Sequence, residues 1–217
     1  MLLLYHPIHL GMSLFPGTPE PSLSPLAAVA KDGFAETGIS LTSHTGTHLD
    51  APAHLLPGGT TLDQLDRARF AGEGWVIDCT GLPPGSAVTW DWAAPRLNQA
   101  PQVPFLLFYT GWDRFWGTDA YKTGYPTLDP ALCRRLAQRC TLVGVDTLSP
   151  DPVNSSRLPA HRALLEGDVL LLENLTGLSA LVGRRFWLAV PPLLFPRGDG
   201  APAFPAALLP VERSYHR

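Results

Sequence analysis

Within eleven residues the chain sets three imidazoles beside a carboxylate: His44-Thr45-Gly46-Thr47-His48-Leu49-Asp50-Ala51-Pro52-Ala53-His54. His161 and Glu173 follow far downstream, and the whole protein has only seven histidines. Imidazole with carboxylate is the ligand set of zinc, manganese or iron at reactive sites, whereas closed structural zinc sites favour thiolates. Such a set can bind a cation and still leave one imidazole as a base for water.

The local spacing selects a backbone. Histidines four apart occupy one helical face in zinc proteases, but that motif requires Glu directly after the first His, where this chain has Thr45. Gly46, Pro52 and the β-branched Thr42, Thr45 and Thr47 also disfavour a helix, since glycine costs about 1 and proline about 3 kcal/mol in a helix interior. In extended backbone alternate side chains share a face, so His48 and Asp50 point the same way, and a bend at Gly46 lets His44 join them.

The string His-Thr-Gly-Thr-His-x-Asp-x-Pro-x-His resembles the signature of the cyclase family of metal-dependent hydrolases, which includes bacterial kynurenine formamidases and isatin hydrolases. Gly111-Trp112 with Trp116-Gly117, Gly144 to Ser149, His161-Arg162 and Glu173-Asn174-Leu175-Thr176 resemble that family's later blocks in the same order, so the likeness spans most of the chain. The resemblance implies that His44, His48 and Asp50 bind metal, that His161 and Glu173 complete a two-metal site with Asp50 shared, and that His54 is the catalytic acid and base. It implies zinc or manganese, one or two ions per subunit, and a homodimer or higher homo-oligomer. The formamidase branch carries a tryptophan before a Pro-Gly near the N-terminus, where this chain has Phe15-Pro16-Gly17. Phenylalanine can stack on an aromatic substrate but lacks the indole donor. An aryl formamide such as N-formylkynurenine, a cyclic amide and a lactone therefore all remain open as substrates. Two other readings stand beside hydrolysis: a small-ligand-binding protein on the same fold, and a metal-assisted cyclase.

Composition sets the frame. A chain of 217 residues is long enough for one good core, and residues 1–217 read as one domain. Hydrophobic residues make up 45% and charged residues 16%, a surface that suits assembly. A net charge of −3 without any long basic run excludes a nucleic-acid footprint. Met1-Leu2-Leu3-Leu4 has no preceding basic residue and Pro7 interrupts it, so no export signal or membrane span is read, and a cytoplasmic protein is expected. Cys79, Cys133 and Cys140 are odd in number and uninformatively spaced, hence core packing. The Ser-centred nucleophile elbow is absent from the sequence.

These residues need a scaffold, and the pattern predicts an α/β fold: a β-rich domain of the family's swivelling β/β/α type with a central sheet and few helices. Strands are expected at 3–10, 38–43, 75–79, 105–110, 141–146, 169–173 and 186–190, several as short apolar runs that mark burial on both faces. The capping-box residues Thr61 and Gln64 suggest a short helix toward Phe70. Asp129-Pro130 caps a helix carrying Leu132 and Leu136 on one face, and Pro159 to Glu166 forms another whose return strand brings Glu173 to His161. Trp112, Phe115 and Trp116 read as core, Asp146 and Ser149 as turn or outer-partner residues. His6, His9 and His216 lie outside every motif.

Overall fold

The computed structural model describes residues 1–210. Among the described residues thirteen strands occur, β1 (Leu2–Leu3), β2 (Ser22–Ala27), β3 (Glu36–Ser40), β4 (His48–Asp50), β5 (Ala71–Asp78), β6 (Ala87–Val88), β7 (Phe105–Tyr109), β8 (Thr127–Leu128), β9 (Leu142–Val145), β10 (Leu170–Glu173), β11 (Phe186–Ala189), β12 (Gly200–Pro202) and β13 (Ala206–Leu208). The helices are α1 (Val29–Asp32), α2 (Trp90–Gln99), α3 (Pro130–Leu136) and α4 (Pro159–Leu165). Nine strands form one mixed sheet in the order β1-β13-β11-β5-β7-β9-β10-β4-β12. Its centre, β5-β7-β9-β10, is parallel, and the flanking pairs are antiparallel.

The apolar runs behave as expected of strands covered on both sides. Leu106 and Phe108 of β7, Val143 and Val145 of β9 and Leu171 of β10 face α2, α3 and α4 through Ala93, Leu97, Leu132, Leu136, Ala160 and Leu164. Phe105, Leu107, Leu142, Leu170 and Leu172 face the opposite way, onto Leu4, Leu49, Leu175 and Leu178. The three cysteines are buried in or beside the helical layer, as core residues. Burial pushes the Cys140 thiol up to about 12. Among the described residues no helix is long and apolar enough to cross a membrane.

Several expected boundaries shift for identifiable reasons. The strand expected at 3–10 pairs only at Leu2–Leu3, because Pro7 has no amide to donate and the His6 amide donates to Thr47 Oγ1 instead. The one expected at 38–43 is Glu36–Ser40 and pairs only with β2. The predicted helix toward Phe70 is two 3₁₀ turns, Leu62–Gln64 and Arg67–Phe70, although the Thr61–Gln64 capping box is present. Helix α2 escapes the pattern because Pro95 lies inside it, yet Thr89 Oγ1 caps it by accepting from the Trp92 amide. The β2–β3 hairpin with α1 stands away from the core, exposing Leu23, Leu26, Val29, Phe34 and Ile39.

Candidate metal centre

The site gathers where β4 is sandwiched between β10 and β12. Register places His48 opposite both Glu173 and Pro202, and Asp50 opposite Leu171 and Gly200. His48 and Asp50 are two apart on β4 and share a face, as alternation requires. Gly46 takes φ +67°, the left-handed turn that returns His44 to the same side, and it packs against Met12. His54 ends the 3₁₀ turn Pro52–His54 that follows. His161 arrives from α4, and the short return into β10 sets Glu173 beside it.

The distances show convergence. His48 Nε2 lies 3.1 Å from Glu173 Oε2 and 3.4 Å from Asp50 Oδ1. His161 Nε2 is 3.1 Å from Glu173 Oε1 and 3.6 Å from Asp50 Oδ2. His44 Nδ1 is 2.8 Å from Asp50 Oδ1. A ring nitrogen of His54 lies within 4.8 Å of ligand atoms of both Asp50 and His161, and the His44, His48 and Asp50 ligand atoms are equally close. Asp50 thus turns Oδ1 toward His44 and His48 and Oδ2 toward His161, the arrangement expected of a shared carboxylate.

Each of the three inward histidines is held from behind. The Gly46 carbonyl accepts from His48 Nδ1 at 2.8 Å, so Nδ1 carries the hydrogen and Nε2 presents its lone pair inward. Asn174 Nδ2 donates to the same carbonyl at 3.0 Å and thereby fixes it. Asp151 accepts from His161 Nδ1 at 2.7 Å and from the amides of Ala160 and His161 at the start of α4. Asp199 Oδ2 accepts from His44 Nε2 at 2.9 Å. Outer partners of this kind are what orient metal-binding imidazoles.

The imidazoles and carboxylates of the centre shift one another's titration strongly. Burial alone would lower His44, but the Asp50 carboxylate, helped by Asp199, outweighs it and raises His44 to about 9. Burial is likewise overcome at His161 by Glu173 and Asp151, which raise it to about 10. Burial would push Asp50 and Glu173 up, yet the surrounding imidazoles hold both carboxyls below their ordinary values. Burial keeps His54 below its usual value, the neutral form a base requires. Asp50 Oδ2 and Glu173 Oε1 are buried and accept no well-aligned hydrogen bond, although His161 Nε2 faces both. Buried carboxylate oxygens that accept no well-aligned hydrogen bond, facing imidazole nitrogens with outer support, are a donor set that fits a divalent cation.

The backbone makes room for this centre at Gly200. A Cβ there would lie 2.5 Å from His44 Cε1 and 3.0 Å from the Leu49 carbonyl oxygen. Gly200→Ala therefore displaces the His44 ring, and zinc affinity measured by chelator competition falls about 10–100-fold, as for a lost outer partner. Wild-type affinity in that variant contradicts the cradle.

The centre opens into a cavity of about 260 Å³ walled by Leu14, Phe15, Leu148 and Leu158, with Ser149 and Asn174 as polar points. Phe15 is on this wall and 37% exposed. Trp112, Phe115 and Trp116 instead pack with Tyr121 and Tyr125 in a cluster that meets the cavity wall at Leu148, and His6 stacks on Trp116 at 3.9 Å. Asp146 braces the loop after β7 by accepting from the Thr110, Gly111 and Trp112 amides, while Ser149 Oγ accepts from the Asp151 amide. His216 lies outside the described residues.

Residues 3–152 match the family model described as "Putative cyclase". The chain belongs to the cyclase family. A kynurenine formamidase of Paracidovorax citrulli is 29% identical over 199 residues, 90% of each chain. One of Salinibacter ruber is 33% identical over 165 residues, 76% of this chain and 75% of that one. A solved structure described as a potential metal-dependent hydrolase with cyclase activity is 26% identical with a TM-score of 0.79, covering 95% of this chain and 96% of that one. An isatin hydrolase bound to the product analogue thioisatinate shares the fold, with a TM-score of 0.87 at 23% identity over 96% of this chain and 92% of its own. This cyclase-family chain is a metal-dependent hydrolase.

Asp199 is the participant the sequence reading missed. It precedes the short strand β12 in an otherwise unremarked Arg197-Gly198-Asp199-Gly200 stretch. Only the pairing of β12 with β4 brings it to His44, a long-range contact that no local spacing encodes.

Proposed function

We propose that this cyclase-family protein hydrolyses an amide bond of an aromatic substrate, an aryl formamide in the first instance, using zinc or manganese held by His44, His48, Asp50, His161 and Glu173. One or two ions are compatible with a ligand set in which Asp50 is shared. The observation that carries the reading is the pair of buried oxygens left without a formed hydrogen bond, Asp50 Oδ2 and Glu173 Oε1, facing supported imidazoles with His54 alongside. The formamidase relatives and the apolar cavity wall favour the aromatic amide.

A divalent cation bound there supplies a Lewis acid for the carbonyl and lowers the pKa of water from 15.7 toward about 7. The chain's own residues do the rest. His54 accepts the proton of the attacking water and returns it to the departing nitrogen, which its suppressed pKa permits near neutrality. Phe15, Leu14, Leu148 and Leu158 seat the aryl ring and exclude water from that side.

The test is a panel of an aryl formamide, isatin and a lactone, each with zinc- or manganese-loaded protein, with the products identified. Turnover of the formamide to amine and formate supports the reading. Loaded protein that hydrolyses none of the three contradicts it, and a ring-closed product would establish the cyclase alternative. We also propose a homodimer joined through the β2–β3 arm, whose apolar residues have no cover in the single chain. Light scattering should give twice the subunit mass of 23.5 kDa, and a single-subunit mass contradicts the dimer.

A further inference from the structure

Of the outer partners among the described residues, Asp199 alone reaches two imidazoles. Its Oδ2 lies 2.9 Å from His44 Nε2 and 3.6 Å from His54 Nδ1, and the two rings are 4.0 Å apart between centroids. Asp151, by contrast, accepts only from His161 and the start of α4. Asp199 is also rigidly placed. Its carbonyl accepts from the Ala51 amide at 2.9 Å, the carbonyl of Gly198 accepts from the Leu62 amide at 2.9 Å, and Gly200 is in register with Asp50. The strand that holds Asp50 therefore also sets the carboxylate behind His44 and His54.

We propose that Asp199 is a positioning residue shared between the metal-binding imidazole of His44 and the acid–base imidazole of His54. The assignment of those two roles rests on the function proposed above. An anion at the common edge of two adjacent imidazoles attracts a ring N–H from each and so decides which nitrogen each ring turns inward. For His44 the bond is formed, and Nδ1 is the nitrogen left facing Asp50. For His54 the separation exceeds a hydrogen bond, so the hold is electrostatic and directs Nδ1 outward, leaving Nε2 for water.

Asp199→Asn keeps the size of the side chain and removes its charge. Zinc affinity, measured by competition with a chromophoric chelator, is expected to fall about 10–100-fold. With zinc saturating, kcat on the aryl formamide falls about tenfold with KM within about twofold, because orientation of the base and not substrate binding is lost. In long-range ¹H–¹⁵N spectra of the zinc-loaded protein, His54 changes from one tautomer protonated at Nδ1 to a mixture. Wild-type zinc affinity in Asp199→Asn overturns the hold on His44, and an unchanged His54 spectrum overturns the hold on His54. If wild-type protein loaded with zinc hydrolyses nothing in the panel, the proposed function fails while affinity and spectrum still decide the role of Asp199.

Discussion

Replacing His54 by alanine or asparagine lowers turnover by about two to four powers of ten while metal content stays at the wild-type ratio, the range typical of a positioned acid–base group. The loss corresponds to about 3–5 kcal/mol of transition-state stabilisation. The geometry explains why activity and metal separate in this variant. His54 sits at the end of a 3₁₀ turn beside the cavity, while His44, His48 and His161 stand directly against Asp50, and His48 and His161 also against Glu173. Its nearest carboxylate is Asp199, at 3.6 Å, outside the cluster of buried anions. Removing the ring thus leaves the ligands in place and takes away the proton carrier. Full turnover in either variant refutes the assignment, and so does loss of metal together with turnover, which would make His54 a ligand.

Asp50→Asn and Glu173→Gln have the opposite signature, losing metal first. Asp50 is fully buried and adjoins His44, His48 and His161, so the amide leaves these three imidazoles without the anion they share. Affinity should fall by more than the ~10–100-fold that an outer partner is worth. The apo variants should also lose stability, since removing one member of a buried charged pair strands the other at a cost of about 3–5 kcal/mol. Plasma emission on the purified variants reads the metal, and a chemical melt reads the stability. Metal at the wild-type ratio in both variants would show the ligand set to be wrong.

How far the chain announced this site differs from element to element. His44, His48 and Asp50 were readable because alternation along an extended strand and one glycine bend suffice to bring them together, with no reference to the rest of the fold. His161 and Glu173 were readable for a related reason: a proline-started helix and an immediate return strand keep them near each other. Asp199 was not, because its place depends on which strand β12 pairs with, and strand order is a property of the whole sheet. The same distinction runs through the fold. The apolar runs of β7, β9 and β10 identified themselves, whereas α2 hid behind Pro95, whose cost of about 3 kcal/mol in an interior is offset by the burial of Ala93 and Leu97. At residues 61–70 the capping box is present without the helix it predicts, because Leu65 and Asp66 turn to extended backbone between two 3₁₀ turns.

Metal stoichiometry on the purified wild-type chain, dialysed after loading with zinc or manganese, bears most directly on the convergence of His44, His48, Asp50, His161 and Glu173. At least one ion retained per folded chain is the result this centre predicts, displaced as pH falls and protons compete for the imidazoles. A folded chain that retains neither metal would contradict it.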